Sequence, residues 1–306
     1  MTHQRILTRI GAIAGAAALA VTLASCGDGT GGTGGTEEGA GGAGTITLGY
    51  IPSWTDGLAT AYLLEDQLTK LGYEVRMEEL TEPGPLYAGL ANGDVDVYPS
   101  AWPEVTHASY MTEFGDAIED LGAYYDNAQL TIAVPSYVDI DSIEDLAGNA
   151  ARFDDRIVGI EPGAGLTAVT QDSMIPAYDL GDEYQLVTSS TQAMLAELQG
   201  AIDAQEDIVV TLWRPFWPYG TFDLKDLEDP KGAMGEPEAL HFLGREGFAA
   251  DYADAAELIA GIALDDEAYG SLESAVVEAS ESGGEAEAVD AWIAENADAF
   301  PTLLTD

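Results

Sequence analysis

The sequence predicts an α/β protein folded as two lobes, and three observations carry that prediction. From Thr45 onward, short β-rich runs alternate with helical patterns, as in a parallel sheet covered by helices. The alternation occurs in two separate units. About 260 ordered residues suit two lobes better than one globule.

Taken in order, ITLGYI is a strand. LATAYLLEDQLTKLG follows as a helix with apolar Leu58, Tyr62, Leu64, Leu68 and Leu71 at roughly helical spacing and Gly72 as its stop. YEVRMEEL is the next strand, PLYAGLANG a short helix ended by Asn92-Gly93, and DVDVYP a third strand. The second unit begins near Gln129: QLTIAVP is a strand, SIEDLAG a short helix capped by Ser142, RIVGIEP a strand and GLTAVTQDSMIPAY a helix. YQLVTS, the helix TQAMLAELQGAIDAQ and the strand DIVVTLW complete it. From Leu224 the chain reads as mostly helical, in ALHFLGREGF, DYADAAELIAGI, DEAYGSLESAVVEAS and AEAVDAWIAENADAF, which need the first lobe to cover. The expected limits are 45–130 plus 213–306 for lobe 1 and 131–212 for lobe 2. The chain would cross near residues 128–134 and 207–213, leaving a cleft that closes about a hinge.

Ahead of this fold, Arg5 and Arg9 precede an apolar run from Ile10 to Leu23 that ends in Leu23-Ala24-Ser25-Cys26. The run is short for a membrane span, and small residues before the cysteine suit a peptidase, so 1–25 reads as a bacterial lipoprotein signal with Cys26 as the lipidated residue. Cys26 is the only cysteine, which excludes an internal disulfide. Residues 26–44 are a glycine-rich stretch with no apolar residue larger than alanine, a flexible tether.

Ten basic against 55 acidic residues give a formal charge of −45. A phosphate backbone would be repelled, so nucleic acid is excluded as a partner. With 46% hydrophobic residues the chain has ample core. The charge therefore reads as a solvated surface adapted to a salty external medium.

Three of the five tryptophans sit where a strand or turn ends: Trp54 in YIPSWTDG, Trp102 in YPSAWPE and Trp213 in VVTLWRPFWPYG. In an alternating α/β fold the loops after the strands converge on one crevice. Several indole faces around one small volume suit a quaternary ammonium, a cation that cannot donate hydrogen bonds. The competing reading is three core tryptophans.

With these residues in place, the chain resembles the glycine betaine/choline-binding proteins of ABC importers. The matching segments are LGYIPSWTDG, LANGDVDVYPSAWPE, AVPSYVDIDSIEDLAG, GIEPGAGLT with SSTQAMLAELQGAI, VVTLWRPFWPYGTFDLKDLEDPKG and AWIAEN. The resemblance implies a bilobal periplasmic-binding-protein fold of type II and an aromatic cage for a trimethylammonium group. It also implies delivery to permease and ATPase subunits by a monomeric, lipid-anchored, extracytoplasmic protein that needs no cofactor or metal. Carried over, Trp54, Trp102 and Trp213 are cage positions. Asp56 matches an acid near the ligand in choline-binding members, or is a helix N-cap. Some members add a tyrosine; Tyr124, Tyr125 and Tyr137 lie in the right region, and Tyr125 is the candidate carried forward. Trp217 packs behind the cage and Trp292 is core. Betaine-binding members place a histidine shortly after a cage tryptophan, but the segment after Trp213 has none. Arg214, by a bidentate contact, or the backbone of the GIEPGAGLT turn is left to hold a carboxylate. Choline and glycine betaine both remain open.

An enzyme, such as a hydrolase of a choline ester, finds little support. His107 and His241 have no metal-ligand spacing and read as structural, GAGLT lacks the P-loop lysine, and no Gly-x-Ser-x-Gly elbow occurs. A ligand-sensing lipoprotein would need a signalling partner that the sequence does not name.

Overall fold

The computed structural model describes residues 44–305. The expected signal, Cys26 and all but the last residue of the tether lie outside the described residues. The first unit is β1 (Thr45–Tyr50), α1 (Thr55–Lys70), β2 (Glu74–Glu79), α2 (Pro83–Asn92) and β3 (Val97–Ala101). β1 pairs in parallel with β2 and β3. Leu58, Leu64 and Leu68 of α1 are buried, as the helical spacing requires. Gly72, beyond the end of α1, has φ 94°, and Gly93 caps α2 at φ 78°, a left-handed backbone that favours glycine.

The chain continues through α3 (Ala108–Phe114), β4 (Ile118–Pro135), β5 (Arg156–Val158), α4 (Gly165–Val169), α5 (Ile175–Ala177), β6 (Gln185–Val187), α6 (Thr191–Ala204) and β7 (Val210–Arg214). It then forms α7 (Pro218–Thr221), β8 (Leu224–Asp226), β9 (Glu238–Arg245), α8 (Phe248–Asp251), α9 (Ala253–Ala260), α10 (Asp266–Ser280) and α11 (Glu285–Asn296). Ser142 starts the short helical turn Ile143–Leu146, accepting from Glu144 N at 3.2 Å while Asp145 accepts from Ser142 N at 3.0 Å.

Strand order is β2-β1-β3-β9-β4-β7-β5-β6, with β8 also on β4. The 18-residue β4 links two sheets: Ile118 to Ala128 pair with β9 in the first, and Gln129 to Pro135 with β7 and β8 in the second.

Three expectations are corrected. ALHFLGREGF is mostly the strand β9, antiparallel to both β3 and β4. Its interior position buries Leu240, Phe242, Leu243 and Gly244, and so short an apolar run has no period that separates strand from helix. Ile118–Ala128, for which the sequence pattern names no element, is strand; the turn-type residues Asp120, Gly122 and Asn127 are accommodated there because the β4–β9 register shifts three times. The segment from Trp213 to Asp226 stays with the second sheet, because β8 pairs with β4 at Ala133 to Pro135. Glu228 still bridges to Ser142, so pairing with the second sheet continues past residues 207–213, where a return is expected.

The C-terminal helices cover the first unit as expected. α10 and α11 pack on α1, and Gln67 of α1 exchanges hydrogen bonds with the backbone of Leu304. Trp292 is buried, its indole donating to Ser271 at 2.9 Å, a core residue.

Candidate ligand site

Trp54 is the N-cap residue of α1, held in a turn by its N–H on Ile51 O at 3.0 Å. Trp102 follows β3, and Trp213 lies in β7 opposite Leu130 of β4. All three line one cavity, with Asp56 and His107 from the first lobe and the Ile160–Leu166 turn from the second. The crevice at strand ends is where an α/β fold collects such side chains. It measures about 30 Å³, room for one or two waters.

Asp56 is in the first turn of α1, not at its N-cap. Its Oδ2 accepts from Ser100 Oγ at 2.6 Å and from Trp102 Nε1 at 3.1 Å. Burial pushes its pKa above the usual carboxylate range, and the bonds from Ser100 and Trp102 oppose that shift. Tyr124 joins the network through Ser100, hydroxyl to hydroxyl at 2.8 Å. Trp54 Nε1 donates to Glu161 Oε2 at 3.1 Å. The indole N–H of Trp213 has no acceptor although it is buried. Phe216 stacks on Trp213 with centroids 3.8 Å apart, and Trp217 meets Phe216 edge-on at 6.1 Å, so Trp217 is one ring further back.

His107 was read as structural, yet it lines the cavity and stacks on Trp54, centroids 6.1 Å apart and planes at 18°. Burial lowers its pKa to about 3, so the ring is neutral. Its Nδ1 accepts from Trp102 N at 3.2 Å and lies 3.0 Å from the Tyr87 hydroxyl. An accepting Nδ1 assigns the proton to Nε2, which makes the ring a donor at that nitrogen. The signal was in the sequence, five residues after Trp102 instead of after Trp213. Glu238 was missed entirely: from β9 it accepts the backbone N–H groups of Glu104, Val105 and Thr106 at 2.9–3.0 Å and so fixes the loop between Trp102 and His107.

Two expected residues are not brought to the cavity. The Tyr125 hydroxyl donates to Asp266 at 2.8 Å and its ring packs on Tyr269. The register shifts on either side of it in β4 aim it at the start of α10. Arg214 follows Trp213 in the strand and so leaves on the opposite face. It is exposed, paired with Asp226, with its guanidinium 3.5 Å from the Tyr219 ring centre. Tyr137 is also exposed, donating to Glu206 O at 2.6 Å.

The family described as the substrate binding domain of ABC-type glycine betaine transport systems matches residues 44–295. The chain belongs to this family. The glycine betaine/carnitine transport binding protein GbuC of Listeria monocytogenes is 37% identical over 143 residues, 46% of each chain. The match thus spans about half of that curated relative's length. Among solved structures, the glycine betaine/L-proline-binding protein of Borrelia burgdorferi is 31% identical with TM-score 0.78, covering 86% of this chain and 97% of its own. Lactococcal OpuAC, closed and complexed with glycine betaine, is 29% identical with TM-score 0.77, covering 84% and 98%. The bilobal type II periplasmic-binding-protein fold is shared with both. The family consists of extracytoplasmic substrate-binding components of transport, not of enzymes. No helix among the described residues is long and apolar enough to cross a membrane.

Proposed function

We propose that this protein captures a trimethylammonium carboxylate, with glycine betaine as the best-fitting solute, and passes it to the permease and ATPase of an ABC importer. The observation that carries the reading is a single cavity walled by Trp54, Trp102 and Trp213 and carrying the neutral donor His107. The indole faces suit the methylated cation. The Nε2–H of His107 suits the carboxylate, whereas Arg214 is exposed and paired with Asp226.

A desolvated cation–π contact contributes ~2 kcal/mol, so three approach roughly 6 kcal/mol before association costs. Micromolar binding needs about 8 kcal/mol. A hydrogen bond to the ligand's carboxylate, worth roughly 1.5–3 kcal/mol, narrows the gap. Asp56, beside the cage, supports choline as the second reading, because an anion attracts a cation that brings no carboxylate of its own.

In this reading the protein is not an enzyme. It works as a monomer outside the membrane, anchored through lipid on Cys26, with residues 1–25 removed and 26–44 as its tether. Lobe 1 takes 45–128 and the segment from β9 onward; lobe 2 takes the strands between.

Calorimetry on the protein in molar salt, with glycine betaine and then choline, tests this. Micromolar or tighter binding of glycine betaine with weaker choline binding is the expected result. Choline alone would transfer the specificity to Asp56, binding of neither would sink the cage, and consumption of the ligand would restore the enzyme reading.

A further inference from the structure

Glu161 stands in the turn after β5, on the second lobe, yet two of its four donors belong to the first. Oε2 accepts from Trp54 Nε1 at 3.1 Å, and Oε1 accepts from Ser53 Oγ at 3.3 Å. From its own lobe, Thr191 donates its backbone N–H to Oε1 at 2.9 Å and its hydroxyl to Oε2 at 2.8 Å. Glu161 is 5% exposed. A carboxylate withdrawn from water is tolerated when its lone pairs are met by donors. Separating the lobes removes two of those donors, and bringing them together restores both.

The same turn is gripped nearby. Gly163 N donates to Glu82 Oε2 at 3.2 Å, and Gly163 O accepts from the Tyr110 hydroxyl at 2.7 Å. Both partners are on the first lobe, so the turn carrying Glu161 is held as a unit.

The two other cage indoles differ from Trp54 in a telling way. Trp102 donates to Asp56 within one lobe, so that bond survives opening. Trp213 has no acceptor among the described residues. Of the three, only Trp54 has its indole N–H bound across the cleft, so closure adds a hydrogen-bond restraint to a ring that His107 already stacks on within its own lobe.

We propose that Glu161 is the latch of the cleft and the positioning residue that sets Trp54 against a bound trimethylammonium group. The second half rests on the function proposed above; the first half concerns the protein with or without ligand. Glu161 adds a buried anion beside the cage and ties the Trp54 indole to the second lobe on closure.

The test uses the full chain in molar salt, comparing wild type with Glu161→Gln and with Ser53→Ala, which removes one cross-cleft donor and leaves Glu161 in place. Two quantities are read: the dissociation rate of glycine betaine by stopped-flow tryptophan fluorescence, and the radius of gyration without ligand by X-ray scattering. For Glu161→Gln the expectation is dissociation about tenfold faster or more, association within about twofold, and a larger radius. Ser53→Ala should move dissociation in the same direction by about threefold, and it decides the matter alone if Glu161→Gln does not fold. Dissociation within about twofold of wild type in the variants that fold overturns the latch. If wild type binds neither glycine betaine nor choline, the ligand reading fails and scattering decides the latch: a larger radius for Glu161→Gln, or for Ser53→Ala if that variant must stand in, upholds it, and an equal one overturns it.

Discussion

At His107, burial and hydrogen bonding act on the same ring and fix its chemistry. With its pKa lowered to about 3 by burial, it is neutral at pH 7, and Trp102 N on Nδ1 selects the Nε2–H tautomer. His107→Gln should weaken glycine betaine binding by about tenfold or more while choline changes by less than about threefold, read by calorimetry; equal losses for both would make the ring a packing element only. Trp102→Ala should weaken both ligands by at least about tenfold with the fold intact by circular dichroism, since one cation–π face is removed. Behind the cage, Glu273 is pushed up to about 7, chiefly by burial and further by the Asp56 charge, against the opposing Thr55 hydroxyl. Between its ordinary 4.5 and about 7 the folded state keeps a proton that the unfolded chain releases. Its stabilising effect is therefore full below pH 4.5 and is lost as pH rises through 7. Denaturant titration of Glu273→Gln should show a gain over wild type on the order of 3 kcal/mol at pH 8 relative to pH 4; an unchanged difference would place the titration elsewhere. That Trp54, Asp56, Trp102 and Trp213 meet at one crevice was legible in the sequence, because Trp54, Asp56 and Trp102 follow strand ends and Trp213 is the penultimate residue of its strand. Glu161 was not, because what distinguishes it is the company of Trp54 and Thr191, contacts made only by folding; His107 stands five residues after Trp102, a spacing that gains meaning only with its ring against Trp54.

The turn between β5 and α4 is the element through which the lobes meet, and Gly165 is its closest point. A Cβ there would sit 1.9 Å from Thr106 O, a backbone atom of the opposite lobe that cannot be brushed aside like a flexible side chain. Gly165 does not have positive φ, so alanine is acceptable to the turn itself and also favours the helix that starts there. Gly165→Ala should therefore leave the melting temperature within about 2 °C of wild type while weakening ligand binding by about tenfold or more through blocked closure. A Kd equal to wild type would show that the lobes close with this gap wider. At this scale the sequence revealed β1 to β3 and their helices, because each has its own period and its own glycine stop. It misassigned β9 and passed over the first part of β4. Those two strands lie at the seam of the molecule, buried by partners more than a hundred residues away in sequence, and the bulges that bend β4 put turn-like residues inside a strand.

For the molecule as a whole, two kinds of electrostatics respond differently to salt. The formal charge of −45 is spread over both lobes, so folding and closure each bring like charges closer. Salt shortens the reach of that repulsion from about 8 Å at physiological strength to about 3 Å at 1 M. Inside the cavity, Asp56 and the three tryptophans are buried, where mobile ions screen far less. Raising salt from 0.1 to 1 M should then raise the melting temperature, and it should leave the Kd for glycine betaine unchanged or tighter because the closed form repels itself less. Calorimetric titrations across that series, with a melting curve at each point, separate the two effects. A Kd that weakened by about tenfold would mean that long-range attraction of the ligand to the acidic surface, and not the desolvated cage, supplies the affinity. A melting temperature that did not rise would mean that the carboxylates lie too far apart for their repulsion to destabilise the fold.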